Sequence, residues 1–369
     1  MEMNRSRNAT RNIIFGVILK IYQLVLPFAM RTIIMYELGV KYLGLNSLFT
    51  SILQVLNLAE LGVGSAMVFS MYKPIAQEDS RTICALMKLY KIYYRLIGLV
   101  VLAAGLILLP FIPKLIAGDV PDGINIYVLY LLNLMATVFT YWLFAYKNSI
   151  LQAHQRQDVI SKVTIVTDTC KYILQIGMLF SFHNYYYYIC VLLLSQIFNN
   201  ILTALVSNKL YPQFQAEGKL PKETVKEINQ KIKDLFTSKL GFTIVSSADT
   251  VVISAFLGLE ALAIYQNYYY IVNAVIGFVT IIYSSITAGV GNSMIVCDTE
   301  KNYHDFQIFT FLACWILAFS VSCFSGLFQP FMKLWMGTGL LLPYPLVILL
   351  CVYFWVYEYI MMASVYKDA

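Results

Sequence analysis

"LGVKYLGL" (Leu38 to Leu45) followed by "ELGVGSAM" (Glu60 to Met67) ties two long apolar runs together, and past the middle of the chain "LGLEALAI" (Leu257 to Ile264) followed by "TAGVGNSM" (Thr287 to Met294) does so again. The second copy is about two helical turns longer between its landmarks. An internal echo among membrane spans is how a two-lobed transporter built from structural repeats looks in sequence, with its substrate site between the lobes.

Composition agrees. Of 369 residues 59% are hydrophobic and 12% charged, with a mean hydropathy of +0.69, whereas a soluble domain carries about a quarter charged residues. The expected fold class is an all-α polytopic membrane protein. Runs long enough to cross a ~30 Å hydrocarbon layer, at about 20 residues each, can be drawn about ten times: 12–36, 42–71, 84–110, 124–146, 163–182, 185–207, 235–257, 262–290, 306–328 and 341–364. The first run follows Arg5, Arg7 and Arg11 but is too long for a cleaved signal and lacks a small-residue cleavage site, so it is expected to stay as a span.

Basic residues orient these spans, because Lys and Arg near span ends stay cytoplasmic. Arg5, Arg7, Arg11, Lys73, Arg81, Lys147, Arg156, Lys162 and the run Lys209 to Lys233 fall on one side, with Lys41, Lys114 and Lys333 on the other. The amino terminus is expected inside. The +6 balance belongs to cytoplasmic loops and gives no reason to propose nucleic acid. Seven cysteines sit singly in or beside apolar runs, without paired spacing, and His154, His183 and His304 are scattered; neither disulfide framework nor zinc site is indicated, and no cofactor is expected.

The polar interval 209–234 separates six spans (1–208) from four (235–369) and reads as a cytoplasmic linker. Glu223 and Glu227 with Lys226 and Lys231 would form i, i+4 pairs on a short surface helix. "YYYY" (Tyr185–Tyr188) and "YYY" (Tyr268–Tyr270) read as interfacial aromatic belts, with sugar stacking the sharper, less favoured reading.

An ionisable residue at the middle of a span costs about 2.5–3.5 kcal/mol on insertion scales, so each needs a partner, a wet cavity or a role. In the first span Lys20 and Arg31 share a face with Gln23 and Pro27, a cationic stripe able to attract an anionic group; snorkelling is the plainer alternative. In the fifth, Thr164, Asp168, Lys171 and Gln175 follow at helical intervals, and Asp168 can neutralise Lys171. The seventh opens with Lys239, Thr243, Ser246 and Thr250 on one face and Asp249 at its edge. Glu60 pairs with Arg31 or titrates in ion coupling; the sequence leaves both open. Lys88, Lys91 and Arg95, with Tyr90, Tyr93 and Tyr94 interleaved, read as an interfacial anchor or as a face gathering phosphorylated lipid headgroups.

No Gly-rich loop ending in GK[ST], nucleophile elbow or His-Glu metal motif occurs in the chain. An enzyme is therefore not expected.

"MRTIIMYELGVKYLGLNSLFTSILQVLNLAELGVGSAMVFSMYKPIAQED" (Met30 to Asp79) resembles the amino-terminal signature of bacterial polysaccharide repeat-unit flippases, members of the multidrug, oligosaccharidyl-lipid and polysaccharide exporter superfamily. "ADTVVISAFLGLEALAIYQNYYYIVNAV" (Ala248 to Val275) is similar to the opening of that family's second lobe. Arg31, Gly39, Gly44, Glu60, Gly62, Gly64 and Pro74 keep the family's order in the first stretch, and Asp249, Gly258, Tyr265 and Asn267 in the second. The resemblance implies two pseudo-symmetric helix bundles that open a central cavity alternately to either side of a bacterial cytoplasmic membrane. The implied cargo is an oligosaccharide on polyprenyl pyrophosphate, moved from inner to outer leaflet for capsule, O-antigen or a related glycan. A polysaccharide polymerase and chain-length or export proteins are the implied partners, beside membrane lipids. The chain stops at "VYKDA" (Val365 to Ala369) where the family usually continues, so the second bundle is expected to be incomplete.

On this reading Arg31, Lys20, Lys239, Lys171 and Asn267 are the cavity residues for cargo, and Asp249, Glu60 and Asp168 serve ion coupling or charge pairing. Lys88, Lys91 and Arg95 gather headgroups. The Gly62/Gly64 and Gly289/Gly291 pairs permit close helix contact. Two other readings stand beside it: a cation-coupled multidrug exporter of the same superfamily, and a non-transporting membrane scaffold of a glycan assembly complex.

Overall fold

The computed structural model describes residues 5–368, and among them the chain is all helical. Eleven α-helices follow in order: α1 Arg5–Glu37, α2 Val40–Leu56, α3 Val63–Ala76, α4 Ser80–Leu108, α5 Ile126–Trp142, α6 Lys147–Ala153, α7 Gln157–Phe182, α8 Tyr185–Leu210, α9 Lys222–Val296, α10 Thr299–Met336 and α11 Tyr344–Asp368. Short polar residues start several of them. The side chain of Asp79 accepts the Thr82 N–H before α4, Asn125 accepts from Tyr127 and Val128 before α5, Asn184 from Tyr186 before α8, and Asp298 from Lys301 before α10. Each occupies amide donors that a helix start leaves open.

Eight described helices, or nine with the bent pair α5 and α6 taken as one span, are long and apolar enough to cross a membrane. Ten runs were expected, and the difference lies in α9, where 235–257 and 262–290 merge into one 75-residue run interrupted at Gly258 (φ 89°, ψ 179°). A straight helix of that length would measure about 110 Å, several bilayers' worth, so the interruption is what permits α9 within one membrane protein. Only glycine visits that backbone region readily. Gly39, which starts α2, adopts nearly the same angles (φ 106°, ψ 166°). The echo between "LGVKYLGL" and "LGLEALAI" is thus a repeated helix start. At the second landmark it fails: Gly62 caps α3 in the left-handed region, whereas Gly289 lies within α9 with nothing near the place a Cβ would take.

The chain forms two compact units, the first ending at Leu262 and the second beginning at Ala263. In the first, α7 packs on α1 and α8, α5 on α4 and α8, and α3 on α4 and α6. The contacts joining α1 to α7 keep a nearly constant offset: Arg11 with Asp158, Lys162 over the Phe15 ring at 4.1 Å, Tyr22 Oη with Thr169 Oγ1 at 2.7 Å, and Glu37 with His183 at 3.0 Å. A constant offset means that the two helices run parallel. Gly44 on α2 lies so close to the Leu259 carbonyl that a Cβ there would overlap its oxygen, and the Ala117 N–H donates to Ser254 O at 2.9 Å. These contacts hold the Gly258 break against α2 and the 116–118 turn.

In the second unit α10 packs on α11 around Val279, Tyr283, Val290, Ala313, Met362 and Val365. The short surface helix expected around Glu223 to Lys231 is instead the first part of α9, and among the described residues Glu223 and Glu227 make no ion pair with Lys226 or Lys231. Lys231 lies over the Phe69 ring at 4.8 Å, and Gln230 donates to Asp234 at 2.8 Å. The connection ahead of α9 is anchored: Tyr211 and Phe214 are buried against His154, with ring centroids 4.3 and 5.5 Å away, and Lys147 Nζ donates to Phe214 O at 3.2 Å.

Candidate functional site

The α1–α7 seam of the first unit gathers several of the intramembrane charges. Asp168 and Lys171, one turn apart on α7, pair at 2.7 Å, and the ammonium also lies 4.2 Å above the Tyr172 ring. That intrahelical pair matches the plainer sequence reading and leaves Lys171 already neutralised. Tyr22 and Thr169 join the helices beside it. Further along, Arg31 is half-buried and within electrostatic reach of the buried Tyr188 on α8, while Gln175 Nε2 donates to Tyr188 O at 3.2 Å. Arg31, Tyr188 and Gln175 thus make a polar corner among three helices. Lys20, about three turns before Arg31, is exposed and stands outside that corner.

Glu60 does not meet Arg31. It ends the short 3-10 turn Asn57–Glu60 between α2 and α3, which turns its carboxylate toward α4 and α5. Tyr94 Oη donates to Oε1 at 2.5 Å and Tyr141 Oη reaches Oε2 at 2.9 Å, while Tyr90 Oη donates to Tyr94 Oη at 2.6 Å. Tyr141 has one hydroxyl proton and a second acceptor, Asn57 Oδ1, also at 2.9 Å. Phenol donors delocalise the carboxylate charge without a cation, and among the described residues none forms an ion pair with Glu60.

This tyrosine cage also revises the basic aromatic face proposed for α4. At 100° per residue, Lys88 and Arg95 lie about 100–160° around the helix from Tyr90 and Tyr94, with Lys91 between the two sets; the tyrosines are buried on Glu60 while Arg95 is exposed. Tyr93 leaves in a third direction, donating to Asn229 Oδ1 at 2.6 Å. Lys91 sits 5.6 Å from the Tyr146 ring. Basic and aromatic residues on α4 therefore do not form one platform.

On α9 the buried polar face reads Thr243, Ser247, Thr250 and Ser254. Lys239, one turn before it, is exposed, and the Ser246 side chain lies outside the described residues. Asp249 is half-buried and accepts the Thr250 N–H at 2.9 Å. Asn267 belongs to the second unit, buried, with Nδ2 2.9 Å from Met336 Sδ. The expected aromatic belts are largely internal: Tyr185 and Tyr188 stack at 5.5 Å within the first unit, and Tyr268 is buried against Phe328 in the second.

Residues 9–287 match the family described as "Polysaccharide biosynthesis protein". The chain belongs to that family. Its fold is similar to a multidrug resistance MATE family transporter of the MOP superfamily in an inward-facing conformation, at 16% identity and TM-score 0.68, over 95% of this chain and 83% of that one. A MATE solved in complex with MaL6 (15%, TM-score 0.63, 98% and 82% covered) and a MATE in a bent conformation (13%, 0.59, 98% and 82%) are also similar. No curated protein sequence matches. The fold is that of these MATE transporters, and the family is the one described as polysaccharide biosynthesis protein.

Two acids of this polysaccharide biosynthesis protein escaped the sequence reading. Asp158, fully buried at the start of α7, receives Arg11, Arg156 Nε at 2.9 Å and Lys162 at 3.5 Å, while Asn12 Oδ1 accepts its backbone N–H at 2.8 Å. The three cations are among those used to orient the spans, and in the folded chain they share one carboxylate. Asp158 directly follows Arg156 and Gln157 at a helix start, which is a signal, but Arg11 is 147 residues away. Glu358 on α11 is the second acid.

Proposed function

We propose that this chain translocates polyprenyl-pyrophosphate-linked oligosaccharide repeat units from the inner to the outer leaflet of a bacterial cytoplasmic membrane by alternating access, serving export of capsule, O-antigen or a related polysaccharide. The observation that carries this reading is the polysaccharide biosynthesis family match across residues 9–287 in a chain with an exporter fold. Arg31 is the principal cation for the pyrophosphate, being half-buried at the α1, α7 and α8 corner. Lys20 and Lys239 add exposed positive charge, and Lys171 is the weaker candidate because Asp168 already holds it. A linked pyrophosphate carries about two negative charges, each worth about 2.3 kcal/mol per 100 mV, so an inside-negative potential favours outward movement.

The test is a mass-spectrometric inventory of polyprenyl-linked glycans, resolved by leaflet, in cells lacking the gene and in cells restored with wild type or Arg31→Ala. Complete repeat units trapped on the cytoplasmic leaflet, released by wild type and at least about tenfold less by the variant, a loss of about 1.4 kcal/mol, are expected. Unchanged glycans with altered drug susceptibility would sink the reading in favour of a multidrug exporter. Unchanged glycans without any transport phenotype would favour a scaffold.

A further inference from the structure

We propose that Glu358 is a proton-binding site of the second compact unit, occupied in this arrangement and emptied when α9, α10 and α11 move apart. The side chain is 0% exposed, and both carboxylate oxygens lack a hydrogen-bond partner. It lies on the buried stripe of α11 formed by Val347, Cys351, Phe354, Met362 and Val365, spaced as one helical face. Residues on either side of it are locked to α10: Phe354 packs edge-on to Phe324 at 5.1 Å, and Thr310 Oγ1 donates to Met362 Sδ at 3.7 Å. From α9, Tyr283 Oη reaches the Glu358 backbone carbonyl at 3.5 Å rather than its carboxylate.

The titratable neighbours are few. Tyr283 faces it from α9, Tyr357 adjoins it on α11, and Cys314 on α10 lies near Tyr283. Among the described residues no lysine, arginine or histidine acts on Glu358. Every one of these neighbours is itself neutral or anionic, so none can compensate a carboxylate. An ionised carboxylate without a protein partner is among the costliest groups to bury, and the group neutralises instead. A proton is the smallest ligand that achieves this. It arrives from water and forms one O–H bond, and it leaves to water once the packing opens; no electron changes hands. Separation of the three helices is therefore the event that frees the proton, and reprotonation is the condition for closing them. This contrasts with Asp158, Asp168 and Glu60, each of which has a hydrogen-bond donor or a cation beside it.

The link from this proton to cargo movement rests on the flippase reading, whereas the site itself does not. Infrared difference spectra of the full-length purified protein, titrated with acid and base, test the site. Wild type is expected to show a protonated carboxyl band at neutral pH that is missing from Glu358→Gln, a variant that mimics the neutral acid and should melt like wild type. An identical band in both proteins overturns the site, and loss of the wild-type band on adding sodium at fixed pH reassigns it to a metal cation. Proteoliposomes loaded with polyprenyl-linked glycan test the coupling. An imposed gradient of one pH unit is expected to shift wild-type distribution by up to about tenfold per proton carried and to leave Glu358→Gln unmoved. A retained gradient response in the variant overturns the coupling. Absence of all glycan movement by wild type instead overturns the flippase reading, and the band result stands apart from it.

Discussion

Glu60 and Asp158 are both acids inside the first unit, and they are stabilised by opposite means. Three cations surround Asp158, whereas Glu60 is held by phenols. Removing one hydroxyl from the cage leaves a carboxylate oxygen without its donor, which costs about 1–3 kcal/mol. Tyr94→Phe and Tyr141→Phe are each expected to lower the melting temperature in detergent, with Tyr94→Phe the larger because it also strands Tyr90 Oη, whose acceptor it is. Tyr93→Phe, whose hydroxyl meets an exposed Asn229, is the control and should change stability little. Sequence showed that an acid sat at Glu60. It could not show the cage, because Tyr141 is 81 residues away and its approach depends on how α5 lies on α4.

At the scale of elements, the segment between α8 and α9 shows what a polar stretch can conceal. Its composition reads as a solvated linker, yet Tyr211 and Phe214 are buried on His154, and Cys84 Sγ lies 3.8 Å from Gln213 O. Burial holds the His154 ring below the ordinary histidine value, opposed by its contact with the Ile150 carbonyl. A histidine whose folded value is depressed binds more protons when unfolded, so its contribution is complete above about pH 6.5 and is lost as pH falls below it. Hydrogen exchange over 211–221 is expected to speed up between about pH 7 and about pH 5.5, after correction for intrinsic rates, and His154→Phe should flatten that dependence. Equal pH dependence in both proteins would show that another group governs the segment. The apolar helices themselves were legible, since length and hydrophobicity suffice to mark them. The break at Gly258 was legible too, since the runs 235–257 and 262–290 part there, but the helix that continues on either side of it from Lys222 to Val296 was not.

Across the whole molecule, parallel α1 and α7 bear on topology. Helices that run parallel across a bilayer begin on the same side, so Arg11 and Asp158 must share a face of the membrane, as their ion pair requires. Single cysteines in a background stripped of the seven native ones are expected to label accordingly. Gln155→Cys should react only with a permeant reagent in intact cells, and Gly123→Cys with an impermeant one as well; the reverse pattern would invert the orientation. Membrane class, helical fold, approximate span positions and the echo around Gly39 and Gly258 followed from the sequence itself, because they depend on local composition and pattern; that both glycines open a helix is read from their backbone angles. Which charges are neutralised was decided by tertiary structure. Arg11 with Asp158, Glu60 with its tyrosines, and Glu358 with nothing are outcomes of helices meeting across large sequence separations, and a buried charge is governed by the groups that packing brings within a few ångströms rather than by its neighbours in the chain.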